Sequence, residues 1–304
     1  MNKQEAISIL KEHNQEHVIK RLEALEDDAA KKLISQVAMI DWKVVESIND
    51  KSDSSSEDKK IEPLEAVEIK DIKANKEKYT AKGVEAIKNG KVAAVLLAGG
   101  QGTRLGLDKP KGTLNVGVNK DLFLFGQLIR NLLDVVDMTG AYVPLYIMTS
   151  DKNNEDTVAF FEEHNYFGYD KDYVKFFIQS MVPSVDYNGK LYMESTDSLA
   201  MSPNGNGGWF LSLMAAGLDK DMEEKGVEYV NVFAVDNILQ RIADPAFIGA
   251  TMLAGAECGS KVVRKCEPEE KVGVMCRVNG HPSIIEYYEM SEELANLRRE
   301  DGEL

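Results

Sequence analysis

A short apolar run that leads directly into a glycine-rich loop is the feature that most restricts how this chain can fold. Residues 92–97 read VAAVLL, and residues 97–106 read LAGGQGTRLG. An apolar run of this length that is closed by glycines is typical of a strand buried on both faces of a parallel sheet. The loop would then follow the carboxyl end of that strand, which is the edge where open α/β sheets bind ligands. The run and the loop together predict an α/β fold with its ligand site at the loop.

The glycine loop has the chemistry to bind a phosphate or a base. Gly99, Gly100 and Gly102 allow a sharp turn and let backbone N–H groups approach a ligand without interference from a Cβ atom. Arg104 and Lys111 can neutralise phosphate charge. The spacing matches neither the P-loop pattern GxxxxGK[ST] nor the dinucleotide pattern GxGxxG. A glycine-rich turn that serves only the chain geometry is the alternative interpretation.

Helical and strand patterns alternate through most of the chain. Residues 5–48 have a periodicity that suits two or three helices, and a polar, turn-rich linker follows at 50–58. Further helices are predicted at 80–89, 122–136, 153–164, 207–217 and 219–225, and strands at 92–97, 145–148, 175–179 and 229–235. Because strands alternate with helices, we expect a mixed, mainly parallel sheet flanked by helices.

The last part of the chain changes character. Strand patterns at 261–263, 272–278 and 283–287 are separated by short turns, one of which is Asn279-Gly280. An Asn-Gly pair between two strand patterns is a strong signal for an antiparallel hairpin. We therefore predict a small antiparallel sheet after the α/β core.

Composition excludes several classes of protein. The chain has 304 residues and a net charge of −15, which disfavours a nucleic-acid or anionic-membrane surface. It starts without an apolar signal core and has no apolar run of membrane-spanning length, so we expect a cytoplasmic protein. The three cysteines lack zinc-site spacing, and the four scattered histidines support no nucleophilic triad.

A carboxylate follows the strand predicted at 229–235. Asp236 can reach the same crevice as the glycine loop, where it could hold Mg²⁺ together with substrate phosphates. An Asp that merely starts a turn is the alternative. Residues 203–208, PNGNGG, again permit close backbone approach, although a loop of this composition is common. Gln179, Gly273 and Glu286 have no special meaning in isolation.

Several motifs taken together resemble the UDP-sugar pyrophosphorylases, and most closely their UDP-N-acetylglucosamine branch. These are the loop at 97–106, PKG at 110–112, YIMTS at 146–150, GNGG at 205–208 and VDNIL at 235–239, with QEH at 15–17 near the start. The resemblance implies a Rossmann-like nucleotidyltransferase domain at 81–304 after an N-terminal helical region at 1–80. It also implies that UTP and a sugar 1-phosphate are the substrates, that pyrophosphate is released, and that Mg²⁺ is the cofactor.

The resemblance also assigns roles to individual residues. Arg104 and Lys111 would be the catalytic cations, and Asp236 would help to hold Mg²⁺. The positions that would contact substrate are Leu97, Gly99 and Gly100 for uridine, Gln179, Gly205 and Asn206 for the base or ribose, and Gly273 and Glu286 for the sugar.

The chain departs from the family pattern at its end, because members of the family continue beyond the position that matches Leu304. The resemblance thus predicts a catalytic domain that is incomplete at its C-terminal end, with strands at its edge that lack partners and, as a result, poor stability or association. Alternatives to UDP-N-acetylglucosamine synthesis are UDP-glucose or UDP-galactose synthesis, or binding of UTP and UDP-sugars without turnover. The pattern makes no prediction of oligomeric state.

Overall fold

The computed structural model describes residues 1–47, 60–102, 106, 108–298 and 302. The predicted linker at 50–58 and Arg104 lie outside the described residues. The strands are β1 (Ile61–Pro63), β2 (Val92–Leu97), β3 (Leu145–Thr149), β4 (Val174–Ile178), β5 (Met181–Pro183), β6 (Met201–Pro203), β7 (Tyr229–Ala234), β8 (Val274–Val278) and β9 (His281–Ile285).

The described helices begin with four in the N-terminal region. In chain order they are α1 (Lys3–Glu12), α2 (Glu16–Ala24), α3 (Asp27–Ala38), α4 (Trp42–Ser47), α5 (Ile69–Ala74), α6 (Lys76–Lys88), α7 (Leu124–Thr139), α8 (Asn154–Glu163), α9 (Trp209–Ala215), α10 (Leu218–Glu224), α11 (Pro245–Leu253) and α12 (Glu292–Ala295). The estimate of two or three helices before residue 48 was therefore too low. Short turns between α1, α2, α3 and α4 divide what reads in sequence as one long periodic stretch.

The central sheet has the strand order β4-β3-β2-β7, and all its strand pairs are parallel. In β2, Val92, Ala94 and Leu96 pack into the cluster that contains α6, α7 and α11, whereas Ala93 and Val95 pack towards α9 and α10. Alternate residues of one apolar strand thus face two helix layers, which is why the run reads as continuously hydrophobic. The predicted α/β class, with a mainly parallel sheet flanked by helices, is confirmed.

Helices α6 and α11 approach each other through glycines. A Cβ on Gly83 would lie 1.9 Å from the carbonyl oxygen of Pro245, and one on Gly249 would lie 1.9 Å from that of Tyr79. Any larger residue at either position would force the backbones apart. Helix α6 also spans the predicted domain boundary between residues 80 and 81.

The N-terminal helices form a second core of their own. Leu10, Val18, Leu22 and Leu33 are fully buried in it, and Leu199 from the segment between β5 and β6 joins them. The helical region is therefore packed on a loop that is more than 150 residues away in sequence.

Two small antiparallel sheets complete the structure, β1-β8-β9 and β5-β6. The predicted hairpin at Asn279-Gly280 is confirmed, since both turn residues have positive φ angles, of 52° and 83°, as a type I′ turn requires. The prediction of a strand at 261–263 is wrong, because the structure has no strand between β7 and β8 in this described segment. Val263 is 94% exposed, and no described strand pairs with this segment, so it has no sheet partner among the described residues.

No helix within the described ranges has both the length and the apolar character needed to cross a membrane.

Candidate functional site

The carboxyl ends of β2 and β7 lie side by side and bring the glycine loop next to Asp236. Leu97 and Ala234, the last residues of the two strands, are paired, and the Val235 N–H donates to the Leu97 carbonyl at 3.2 Å. Gly99 and Asp236 each follow two residues later. The sheet thus gathers at one edge two features that the chain separates by more than 130 residues.

Lys111 reaches this edge because the loop folds back on itself. The Gly102 N–H donates to the Lys109 carbonyl at 3.1 Å, and the Lys111 N–H donates to the Gly100 carbonyl at 3.4 Å. Lys111 begins a 3₁₀ turn, and the ring of Phe125 on α7 packs directly against Gly112. A fully buried aromatic ring therefore supports the turn that carries Lys111.

Lys111 and Asp236 form an ion pair with 2.6 Å between Nζ and Oδ1. The Lys111 side chain is 28% exposed and that of Asp236 is 62% exposed, so both can reach a ligand at the surface of the crevice. The pair places one cationic and one anionic group beside the glycine loop.

Gln179 lies against Gly99. It follows β4, is 5% exposed, and its N–H donates to the Thr149 carbonyl at 2.8 Å. A Cβ on Gly99 would lie 2.5 Å from the Gln179 Nε2 atom. A larger residue at position 99 would thus displace the buried Gln179 amide from the glycine loop.

Asn153 is a further site residue that sequence reasoning missed. It is fully buried, its Nδ2 donates to the Ala98 carbonyl at 3.0 Å and the Gly100 carbonyl at 3.4 Å, and its Oδ1 accepts from the Ser150 N–H at 2.7 Å. Asn153 therefore holds the glycine loop in place. The only sequence signal was an Asn before a helix, which ordinarily indicates a cap.

The GNGG segment joins the site next to Gln179. The Asn204 N–H donates to the Ser180 carbonyl at 2.9 Å, and Gly205 has a φ of 74°, a conformation that favours glycine. Asn206 is exposed and starts a 3₁₀ turn that runs into α9. Gly205 and Asn206 thus follow a residue whose backbone is hydrogen-bonded to the residue after Gln179.

Gly273 and Glu286 are placed together, but in the three-stranded sheet. Gly273 precedes β8 and Glu286 follows β9, and a Cβ on Gly273 would lie 3.2 Å from the Glu286 Oε1 atom. The structure therefore joins these two positions to each other, in a sheet other than the four-stranded sheet that carries the glycine loop and Asp236. Arg104 has no described placement.

Among the described residues, no group of three or more His, Cys, Asp or Glu side chains is arranged to hold a metal ion. Asp236 is the candidate carboxylate at the sheet edge, so a cation there would need oxygen ligands from a bound phosphate as well.

A parallel sheet between two helix layers, with a glycine loop and a charged pair at its carboxyl edge, defines a Rossmann-like α/β protein. Residues 38–301 match the family described as UTP--glucose-1-phosphate uridylyltransferase. The chain belongs to this family, and the resemblance identified from its motifs is confirmed.

Two curated relatives of the chain have names that refer to pyrophosphorylases of UDP-linked N-acetylated sugars. The chain is 45% identical over 233 residues to the human UDP-N-acetylhexosamine pyrophosphorylase-like protein 1, covering 75% of this chain and 46% of that protein. It is 40% identical over 259 residues to the Saccharomyces cerevisiae UDP-N-acetylglucosamine pyrophosphorylase, covering 82% and 54%. The chain thus spans about half the length of the curated relatives it matches.

A solved structure of similar fold is the uridine diphosphate N-acetylglucosamine pyrophosphorylase from Trypanosoma brucei in complex with an inhibitor. It matches all of this chain with a TM-score of 0.82 and 30% identity, and 64% of that protein is covered.

Proposed function

We propose that the protein is a uridylyltransferase that forms UDP-N-acetylglucosamine and pyrophosphate from UTP and N-acetylglucosamine 1-phosphate. The observation that carries this proposal is the meeting of the glycine loop, Lys111 and Asp236 at one edge of the parallel sheet. The name and the 40% identity of the Saccharomyces cerevisiae relative support the choice of N-acetylglucosamine.

The reaction is a single in-line displacement. A phosphate oxygen of the sugar 1-phosphate attacks the α-phosphorus of UTP, the new P–O bond forms, and the bond from the α-phosphorus to the bridging oxygen of pyrophosphate breaks. No protein nucleophile is needed, because positioning and charge neutralisation can lower the barrier to phosphoryl-type transfer. In this proposal, the loop at Leu97, Gly99 and Gly100 binds uridine, while Lys111 and Arg104 neutralise phosphate charge.

Asp236 has the chemistry to help hold Mg²⁺. It supplies a carboxylate that is 62% exposed, and Mg²⁺ commonly binds through one or two carboxylates together with substrate phosphates. When bound, the ion would offset the negative charge of the triphosphate. Lys111 would then exchange its contact with Asp236 for contacts with phosphate oxygens.

Pyrophosphate release from UTP, N-acetylglucosamine 1-phosphate and Mg²⁺ tests the proposal directly. Lys111→Met should lower turnover about a hundredfold, because it removes one charge that stabilises the transition state. Lys91→Met is the matched control. Lys91 pairs with Glu228 at 2.5 Å across the same two strands, but at their amino ends.

The control should retain wild-type turnover. Equal loss in the two variants would show that Lys111 acts only as a structural ion pair, and no release with any sugar phosphate would exclude the reaction. Calorimetry with UTP identifies the remaining case, in which the chain binds nucleotide without turnover.

UDP-glucose synthesis is the second candidate, because the family description itself names glucose 1-phosphate. Comparing N-acetylglucosamine, glucose and galactose 1-phosphates in the same assay decides between these sugars. The cytoplasmic location stays a prediction, which fractionation of the source cells would test.

A further inference from the structure

The antiparallel hairpin β5-β6 connects two parts of the predicted uridine site, Gln179 and the segment at Gly205. Gln179 lies just before β5 and Gly205 just after β6, and these two strands pair with Met181 opposite Pro203. Residues 184–200 between the strands form a long excursion, which we call the 184–200 excursion. This excursion is therefore continuous with both strands of the hairpin, one end of which follows Gln179 and the other of which leads to Gly205.

The N-terminal helices hold the 184–200 excursion from outside. Leu191 and Leu199 are buried in the core formed by α1, α2 and α3. The Gln36 Oε1 atom accepts from the Leu199 N–H at 2.8 Å, and Lys32 pairs with Asp197 at 3.3 Å. The helical region therefore contacts the excursion at both of its buried leucines.

Gln15 makes two side-chain hydrogen bonds to the backbone of the 184–200 excursion. It is 2% exposed, its Nε2 donates to the Gly189 carbonyl at 2.9 Å, and its Oε1 accepts from the Leu191 N–H at 3.0 Å. The same Nε2 also donates to the His13 carbonyl at 2.9 Å. His17 adds a contact between its Nε2 atom and the Leu191 carbonyl at 2.7 Å, but among the described residues Gln15 alone bonds the excursion backbone at both Gly189 and Leu191 with one buried side chain. Because buried backbone groups are costly to leave unpaired, loss of the Gln15 amide should loosen the fit between α2 and the excursion.

We propose that Gln15 is a positioning residue for nucleotide binding, which acts through the 184–200 excursion on Gln179 and on the Asn204–Asn206 segment. This inference rests on the proposed function. It assigns to the N-terminal helices a role in setting the geometry of a site that they do not themselves line.

The test is Gln15→Met, which keeps the length of the side chain but removes both polar atoms. UTP affinity measured by calorimetry should fall about tenfold, equivalent to ~1.4 kcal/mol. The KM for the sugar phosphate should not change. In the ligand-free protein, hydrogen exchange at the Asn204 amide should become faster, because its bond to the Ser180 carbonyl lies at the base of the hairpin.

Tyr169→Phe is the matched control. The Tyr169 hydroxyl is buried, accepts from the Val143 N–H at 3.1 Å and donates to the Val143 carbonyl at 2.7 Å. Its removal likewise leaves a buried N–H and a buried carbonyl without their partner, but on α7's side of the central sheet. It should lower thermal stability and leave both UTP affinity and Asn204 exchange unchanged.

The outcomes separate the inference from the proposed function. Equal weakening of UTP binding in both variants, or wild-type affinity and exchange in Gln15→Met, would overturn the positioning role. If the wild-type protein does not bind UTP, the proposed function fails. The rate of hydrogen exchange at the Asn204 amide then tests by itself whether Gln15 acts on the Asn204–Asn206 segment. If Gln15→Met does not fold, Gln15→Asn replaces it; this variant keeps the amide but shortens it, and should give an intermediate effect on the same measurements.

Discussion

Replacing Gly112 with alanine should disturb Lys111 through the ring of Phe125. A Cβ at position 112 would lie 2.2 Å from the Phe125 Cζ atom and 2.3 Å from both Cε atoms. Phe125 is fully buried, and its ring centre lies 4.9 Å from that of Phe161. The ring therefore lies in a packed core, which resists its displacement.

The size of the effect follows from these distances. Carbon atoms pack at about 3.5 Å or more, so the ring or the 3₁₀ turn must move by about 1.3 Å. Overpacking of a dense core typically costs about 1–3 kcal/mol. The free energy of unfolding should fall by this amount, and UTP affinity should weaken because Lys111 moves with its neighbour.

Urea unfolding followed by circular dichroism measures the loss of stability, and calorimetry measures UTP binding. Gly100→Ala is the stability control, since a Cβ there meets no atom of the described residues within 4 Å, and its free energy of unfolding should stay within about 0.5 kcal/mol of wild type. Phe125→Leu should relieve part of the clash. The loss in free energy of unfolding of the Gly112→Ala/Phe125→Leu double variant should therefore be at least about 0.5 kcal/mol smaller than the sum of the losses of the two single variants. Wild-type stability of Gly112→Ala, or strict additivity in the double variant, would refute this reasoning.

Two further predictions concern stability. Gly83→Ala should lower the free energy of unfolding by about 3 kcal/mol, because its Cβ would lie 1.9 Å from the Pro245 carbonyl oxygen; an unchanged thermal midpoint would contradict this. Burial alone would raise the pKa of Asp221, but hydrogen bonds from Lys175, Lys225 and a buried tyrosine outweigh it and hold this pKa well below its usual range. The stabilising contribution of the ionised Asp221 carboxylate is thus complete at neutral pH and is lost as the pH falls below about 4. Asp221→Asn should therefore destabilise the protein at pH 7 but differ less from wild type at pH 3. Urea titrations at the two pH values would show this difference.

Much of the site could be predicted because its parts lie at the ends of local elements. The apolar run before Gly99 and the one before Asp236 each indicate a buried parallel strand, and parallel strands end at a common edge. The sequence alone placed Gln179 at the end of its predicted strand but not beside Gly99. Its contact with Gly99 depends on the conformations of two loops that share no sequence pattern.

Asn153 shows why the remaining part could not be predicted. Its type and position favour a helix cap, and nothing local indicates that its amide instead bonds to the carbonyls of Ala98 and Gly100. The strand predicted at 261–263 failed for the related reason that β-structure needs a partner, and the pattern of a single segment contains no information about one.

By itself, the sequence determined the α/β class, the glycine loop after its first central strand, the Asn-Gly hairpin and the family, because each of these depends on periodicity or on residues close together in the chain. Tertiary structure alone decided that Lys111 meets Asp236 and that Gln15 holds the backbone at Gly189 and Leu191. Those contacts join residues 125 to 176 positions apart. They exist because the strand order β4-β3-β2-β7 and the docking of the N-terminal helices bring them together, and both are properties of the whole packed chain.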